Sequence, residues 1–176
     1  MSLPALATER LLLRPVRPDD APAIAALLAD SEGPGGFSSG PAPLPGQVAH
    51  WIAEQEAGWA AGTHYSFAVH TRAGDFVGVV QLRCSPSAPR AELGFATVPA
   101  LRSRGYATEA CQAVLRFAFE HLGLKRVSAL CRATNRASAR VLEKLGFRME
   151  ARIEPDVPPG AAREPLLFYA VGGEGQ

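Results

Sequence analysis

The alternation of apolar and polar positions divides the chain into strands and helices with little overlap. Leu11-Leu-Leu-Arg-Pro15 reads as a short first strand. Asp19-Asp20-Ala-Pro22 then supplies a helix start, with acidic side chains and a proline in the first turn. Ile24, Leu27 and Leu28 continue that helix at helical spacing to about Ala29. The same period returns from Gln47 to about Ala61, where Val48, Trp51, Ile52 and Trp59 lie near one face and the two tryptophans read as core anchors. Tyr65–His70 and Phe76–Arg83 predict a hairpin around Ala73-Gly74-Asp75, and Ala91–Val98 a fourth strand that ends at Pro99. From Gly105 onward, Ala107, Ala110, Cys111, Val114, Leu115, Ala118 and Leu122 form one stripe. It is the strongest helical signal in the chain, and Gly123 closes it. Val127–Cys131 reads as a fifth strand, Asn135 to Leu145-Gly146 as a fourth helix, and Phe147–Arg152 and Pro165–Val171 as two C-terminal strands.

The predicted order is β-α-α-β-β-β-α-β-α-β-β. This is an α/β (α+β) chain: a mixed, mostly antiparallel seven-stranded sheet flanked by about four helices, in a single domain over residues 1–176. Two stretches have no period. Ser31–Gly46, rich in glycine and proline, reads either as a surface linker or as a loop that shapes a substrate mouth. Pro155–Arg163 is a second loose segment, and Gly172–Gln176 reads as a tail.

Composition narrows the function without naming it. The chain has 176 residues, 47% of them hydrophobic and 20% charged, with a formal net charge of +1, which argues against a general nucleic-acid binder. No apolar run has the length of a membrane span, and the first ten residues lack the basic segment and apolar core of a secretory signal. Three widely spaced cysteines without a CxxC fit a reducing compartment, the cytoplasm, and give no zinc ribbon or redox dithiol. His50, His64, His70 and His121 have no metal-ligand spacing, so no metal is expected.

The segment Arg102-Ser-Arg-Gly-Tyr-Ala107 stands between a strand and the strongest helix. Free amide groups at a helix start form an anion site, which the helix dipole reinforces. Gly105 lets the main chain approach a phosphate, Ala107 keeps the next turn small, and Arg102 and Arg104 add charge, so a pyrophosphate suits the place. The spacing is neither that of a P-loop nor that of a Rossmann fingerprint. A tight glycine-capped turn with no ligand is the competing reading. Further on, Asn135 and Ser138 share a helix face with Val141, Leu142 and Leu145. They act either as local caps or as polar groups reaching into a cleft.

These segments resemble the GNAT acetyltransferase superfamily. The resemblance is carried by Gly94-Phe95, Pro99, Arg102-Ser-Arg-Gly-Tyr-Ala-Thr-Glu109 and Asn135-Arg-Ala-Ser138 with Leu142-Glu-Lys-Leu-Gly-Phe147, and it runs from about Thr8 to Val171. Thr8-Glu-Arg-Leu-Leu-Leu-Arg-Pro15 with Asp19-Asp20 is similar to the opening of the branch that includes ribosomal-protein N-terminal acetyltransferases. The resemblance implies that Arg104, Gly105, Tyr106 and Ala107, with Arg102 and Thr108 beside them, bind the pyrophosphate of acetyl-CoA. It also implies that pantetheine adds along the open edge of the fourth strand at Ala96 and Val98, that the N–H of Ala96 polarises the thioester, and that Asn135 contacts pantetheine. Many members carry a tyrosine as the acid for the departing thiolate; that position is Leu142 here, and Ser138 is the replacement the ribosomal branch suggests. A homodimer is implied by resemblance alone.

The expected reaction is direct attack of a neutral amine on the bound thioester in a ternary complex, with no covalent enzyme intermediate. Glu92 is the candidate base, because it shares strand parity with Gly94 and Ala96. Cys84, Cys111 and Cys131 read as packing residues. The acceptor is a protein N-terminus or a small-molecule amine. The alternative is a domain that holds acyl-CoA as a sensor or scaffold without turnover.

Overall fold

The computed structural model describes residues 5–30, 43–161 and 164–172. Most of the Ser31–Gly46 segment, part of Pro155–Arg163 and most of the expected C-terminal tail lie outside them. In chain order the elements are β1 (Leu6–Ala7), β2 (Leu11–Pro15), α1 (Ala21–Asp30), α2 (Val48–Ala61), β3 (His64–Thr71), β4 (Phe76–Cys84), β5 (Arg90–Thr97), α3 (Tyr106–Arg116), β6 (Arg126–Arg132), α4 (Arg136–Lys144), β7 (Arg148–Ile153) and β8 (Leu166–Gly172). Among the described residues the sheet has eight strands in the order β1-β2-β3-β4-β5-β6-β8-β7, and every neighbouring pair is antiparallel except β5–β6. The strand beyond the seven expected is β1. Its two residues pair with Leu12 and Leu13, a run too short to show a period.

Strand periodicity sorts the side chains into two layers. Phe67 and Val69 of β3, Val80 and Leu82 of β4, and Ala91 and Leu93 of β5 pack with Ala110, Cys111, Val114 and Leu115 of α3. On the opposite face, Ala68 and Val79 pack with Ile24 and Leu27 of α1 and Val48 and Ile52 of α2. Ala96 and Val98 join this second cluster, so Glu92, two strand periods from Ala96, belongs to the α1/α2 face. The expected stripe on α3 is therefore the core stripe. It extends past Arg116 as a wider π turn over Phe117–His121, where Leu122 N donates to Phe117 O at 3.1 Å. Phe117 there meets Tyr65 and Phe67 edge-on at 5.5 and 5.6 Å, and Trp59 meets the same two rings at 5.1 and 5.0 Å.

Two features fix the middle of the sheet. Gly74 turns the β3–β4 hairpin with φ +98°, as the sequence predicts. Three residues on, the register of β4 against β3 shifts by one, and Gly78 lies close against β5. A Cβ on Gly78 would stand 2.0 Å from the Ala96 carbonyl oxygen and 3.0 Å from the Thr97 Cα, both of them main chain. Gly78→Ala is therefore expected to lower stability by about 1–3 kcal/mol, in the range for a forced main-chain shift; urea denaturation measures it, and an unchanged midpoint would mean that β5 yields freely.

Candidate functional site

The parallel junction of β5 and β6 parts after three pairs, Arg90↔Arg126, Ala91↔Val127 and Glu92↔Ser128. Beyond them β5 follows β4 and β6 follows β8, which opens a gap between the two strands. The direction of the main chain along that gap follows from two hydrogen bonds on the other side of β5. Ser85 N donates to Arg90 O at 2.9 Å and Val98 N donates to Val77 O at 2.8 Å. The β4–β5 register between them is unbroken, so residues 90, 92, 94, 96 and 98 turn their N–H and C=O groups toward β4. The odd residues face the gap. Parallel pairing at Glu92↔Ser128 engages the residues on either side of Glu92, which leaves the main-chain groups of Phe95 and the N–H of Thr97 turned to the gap without a strand partner. Arg102 Nε donates to the Thr97 carbonyl at 3.2 Å, in keeping with a carbonyl turned away from β4.

The ladder thus revises the expectation for Ala96 and Val98. Side-chain parity places both on the α1/α2 face, but their N–H groups serve the β4 ladder and do not offer themselves to the gap. Phe95 and Thr97, which sequence reasoning passed over, hold that place. Alternation of main-chain groups along a paired strand is the signal that finds them.

The turn that follows is built for close approach. Ser103 and Gly105 both take left-handed conformations, φ 62° and 80°, and Gly105 is the N-cap of α3. A glycine cap has no side chain to satisfy the first amides of the helix, so those of Tyr106, Ala107 and Thr108 open onto the turn. Arg102, Ser103, Arg104 and Gly105 are exposed, whereas Tyr106, Ala107 and Thr108 are half-buried. A small cavity between the sheet and the first turns of α3 is lined by Val69, Val77, Val80, Phe95, Tyr106 and Ala110. The one acidic residue in the first turn of α3, Glu109, is drawn sideways. It accepts Thr8 Oγ1 at 2.6 Å, Arg10 N at 2.9 Å and Arg10 Nε at 2.7 Å. Burial alone would raise its carboxyl pKa, but these bonds and the Arg10 charge hold it below the usual value, so it stays ionised and bound.

Across the gap, Asn135 is the N-cap of α4, and its Oδ1 accepts Ser138 N at 3.1 Å. The capping alternative therefore accounts for that oxygen. Both side chains are half-buried at the first turn of α4. Leu142 is 1% exposed and packs in the core. Glu92 lies at the last rung before the gap, opposite Arg83 on β4 and Ser128 on β6. Burial raises all three cysteine thiol pKa values, Cys111 most of all, so none is a ready thiolate. Among the described residues no group of His, Cys, Asp or Glu is placed to hold a metal ion, and no helix is long and apolar enough to cross a membrane.

Comparison with known proteins identifies the family and the fold. The family model for an acetyltransferase (GNAT) domain matches residues 10–148. The uncharacterized N-acetyltransferase YnaD of Bacillus subtilis (strain 168) is 35% identical over 80 residues, 46% of this chain and 47% of that protein, so the chain covers about half of that relative's length. The crystal structure of an acetyltransferase from Agrobacterium tumefaciens str. C58 superposes with a TM-score of 0.76 at 30% identity, covering 98% of this chain and 96% of the other. Mycobacterium smegmatis RimJ in complex with CoA-disulfide superposes with a TM-score of 0.79 at 25% identity, covering 98% and 87%.

Proposed function

Since the chain belongs to the GNAT acetyltransferase family, we propose that it transfers the acetyl group of acetyl-CoA to a primary amine by direct attack in a ternary complex. The observation that carries this reading is the gap between β5 and β6, which leads toward a left-handed glycine at the start of α3. The complex of RimJ with CoA-disulfide lends it support. The residues fit the cosubstrate. The first amides of α3, with Arg102 and Arg104 beside them, suit a diphosphate. The main-chain groups of Phe95 and the N–H of Thr97 suit the amides of pantetheine, which would join the sheet edge like a short strand.

Polarity along the gap then follows. With the diphosphate at Gly105, the thioester lies toward the junction of the strands, where Glu92 stands. The N–H of Phe95 is the first free donor on that edge and is the group we assign to the thioester oxygen as charge develops on it. Glu92 takes the proton of the attacking amine, directly or through water. Ser138 is the hydroxyl at α4 for the departing thiolate. A thiol pKa of ~8.5 makes that assistance modest, which accords with a buried leucine at 142, where the resemblance implies a tyrosine.

The acceptor we favour is an α-amine, either a protein N-terminus or a small molecule. Its pKa of ~8 leaves roughly a tenth of it neutral at pH 7, against under a thousandth for a lysine side chain. Glu92→Gln is therefore expected to slow turnover only about tenfold at neutral pH, with the rate then following ionisation of the amine alone. An unchanged pH–rate profile would remove Glu92 from this role. Release of free thiol from acetyl-CoA in the presence of a panel of amines tests the reaction itself. The buried Leu142 favours one other reading, a domain that holds acyl-CoA without turnover; tight binding of coenzyme A with no thiol release under any amine would establish it. We further propose a cytoplasmic homodimer. The free Cys84, Cys111 and Cys131 suit a reducing compartment, and sedimentation tests the dimer.

A further inference from the structure

We infer that Arg10, ninety-odd residues before the Arg104–Ala107 turn, is the positioning residue that holds that turn in its binding conformation. The inference rests on the reading of the turn as the diphosphate grip, and it comes from a convergence of contacts. Arg10 Nη1 donates to the Arg104 carbonyl at 3.0 Å. Arg10 Nε and the Arg10 main-chain N–H both donate to the Glu109 carboxylate, at 2.7 and 2.9 Å. The guanidinium lies over the Tyr106 ring, with Cζ 4.6 Å from its centroid. Its Nη2 stands 3.3 Å from where a Cβ on Gly105 would be. One side chain thus reaches residues 104, 105, 106 and 109.

The turn needs such a hold. It carries two left-handed residues, Ser103 at φ 62° and Gly105 at φ 80°, the first of them not a glycine. Arg102 and Arg104 are both exposed on it, and their like charges favour spreading. Glu109 is the acidic residue of the first turn of α3, where its charge would compete with an anionic ligand. Arg10 and Thr8 keep its carboxylate on the β1–β2 side. Arg10 is itself braced by the chain around it: Arg72 donates to the Thr8 carbonyl, and Arg72 N donates to the Arg10 carbonyl at 3.2 Å. A lysine would keep the charge but not the planar fork that spans Glu109 and the Arg104 carbonyl at once. Preorganisation of this kind lowers the cost of binding without adding a contact to the ligand.

Titration calorimetry with coenzyme A on the full chain tests this, with thermal melts to set a temperature at which every variant is folded. Arg10→Ala is expected to weaken coenzyme A about tenfold, and Arg10→Lys to recover only part of that loss. In the thiol-release assay the defect is expected in KM for acetyl-CoA, with kcat within about twofold. A fold that is merely less stable would move the melting temperature and not the affinity. Arg10→Ala binding coenzyme A within about twofold of the parent, while Gly105→Val weakens it, overturns the role of Arg10 and leaves the turn as the grip. If neither change weakens coenzyme A, the reading of the turn fails, and the inference with it. Should Arg10→Ala not fold, Arg10→Lys and Glu109→Gln decide: normal affinity in both overturns the proposal.

Discussion

Gly105→Val is expected to lower the affinity for coenzyme A about a hundredfold, or about 2.7 kcal/mol. Two effects combine. Gly105 sits at φ +80°, a conformation that a β-branched residue adopts only under strain. Its Cβ would also stand 3.3 Å from Arg10 Nη2, a tight contact from which the guanidinium would have to shift. The turn then relaxes to a negative φ, and the first amides of α3 no longer point together. Gly123 gives a matched control. It has φ +66° past the far end of α3, with nothing within 4 Å of an added Cβ. Gly123→Val is expected to lose stability through the same backbone strain and to keep its affinity. Calorimetry with coenzyme A reads both variants, and parent-like affinity in Gly105→Val would remove the turn from the binding site.

Asp20→Ala is expected to cost the most in stability, about 2–3 kcal/mol, because it removes charged hydrogen bonds to a buried carboxylate while the Arg14 left behind is partly exposed to water. Asp20 is 5% exposed, and its carboxylate accepts both terminal nitrogens of Arg14, at 2.8 and 2.7 Å, together with Arg17 N at 2.9 Å. Burial alone would raise its pKa. The Arg14 bonds, the Arg17 amide and the Arg14 charge outweigh burial and hold it below the ordinary value of 3.8. A carboxyl depressed by folding contributes stability that is complete above its unfolded pKa and is lost as pH falls through the folded one. The gap between parent and variant is therefore expected to be full at pH 7 and to narrow below pH 3.8. Urea denaturation at several pH values measures it, and a gap that widened in acid would contradict the assignment. The pair ties the end of β2 to the entry of α1, the helix that covers one face of the sheet.

The sequence made some of this architecture readable and hid the rest for identifiable reasons. The core stripe of α3 and the Gly74 hairpin follow from periodicity and turn chemistry, because each is settled within a few residues. Strand parity works in the same way, and Ala96 does pack on the α1/α2 face. The main-chain direction of Ala96 and Val98 was not legible, because it depends on which neighbour pairs with β5 and in what register. That is decided by β4 and by where β6 departs. The contact between Arg10 and Glu109 is beyond any local pattern, since ninety-nine residues separate the partners. The π turn at Phe117–His121 escaped because it continues the apolar stripe without interrupting it. Asn135 was legible as a cap, and its Oδ1 serves as one.

The parting of β5 from β6 has a mechanical consequence. Three residue pairs are the whole ladder between a half-sheet of five strands and a half-sheet of three. A guest lying in the gap would extend that seam and lock the halves together, so its binding energy becomes rigidity. The amide protons of Phe95 and Thr97, on the gap edge of β5, should exchange faster than those of Ala96 and Val98 when the protein is alone and slow most when the acyl donor is bound. The enzyme would then be stiffest at the moment the amine arrives.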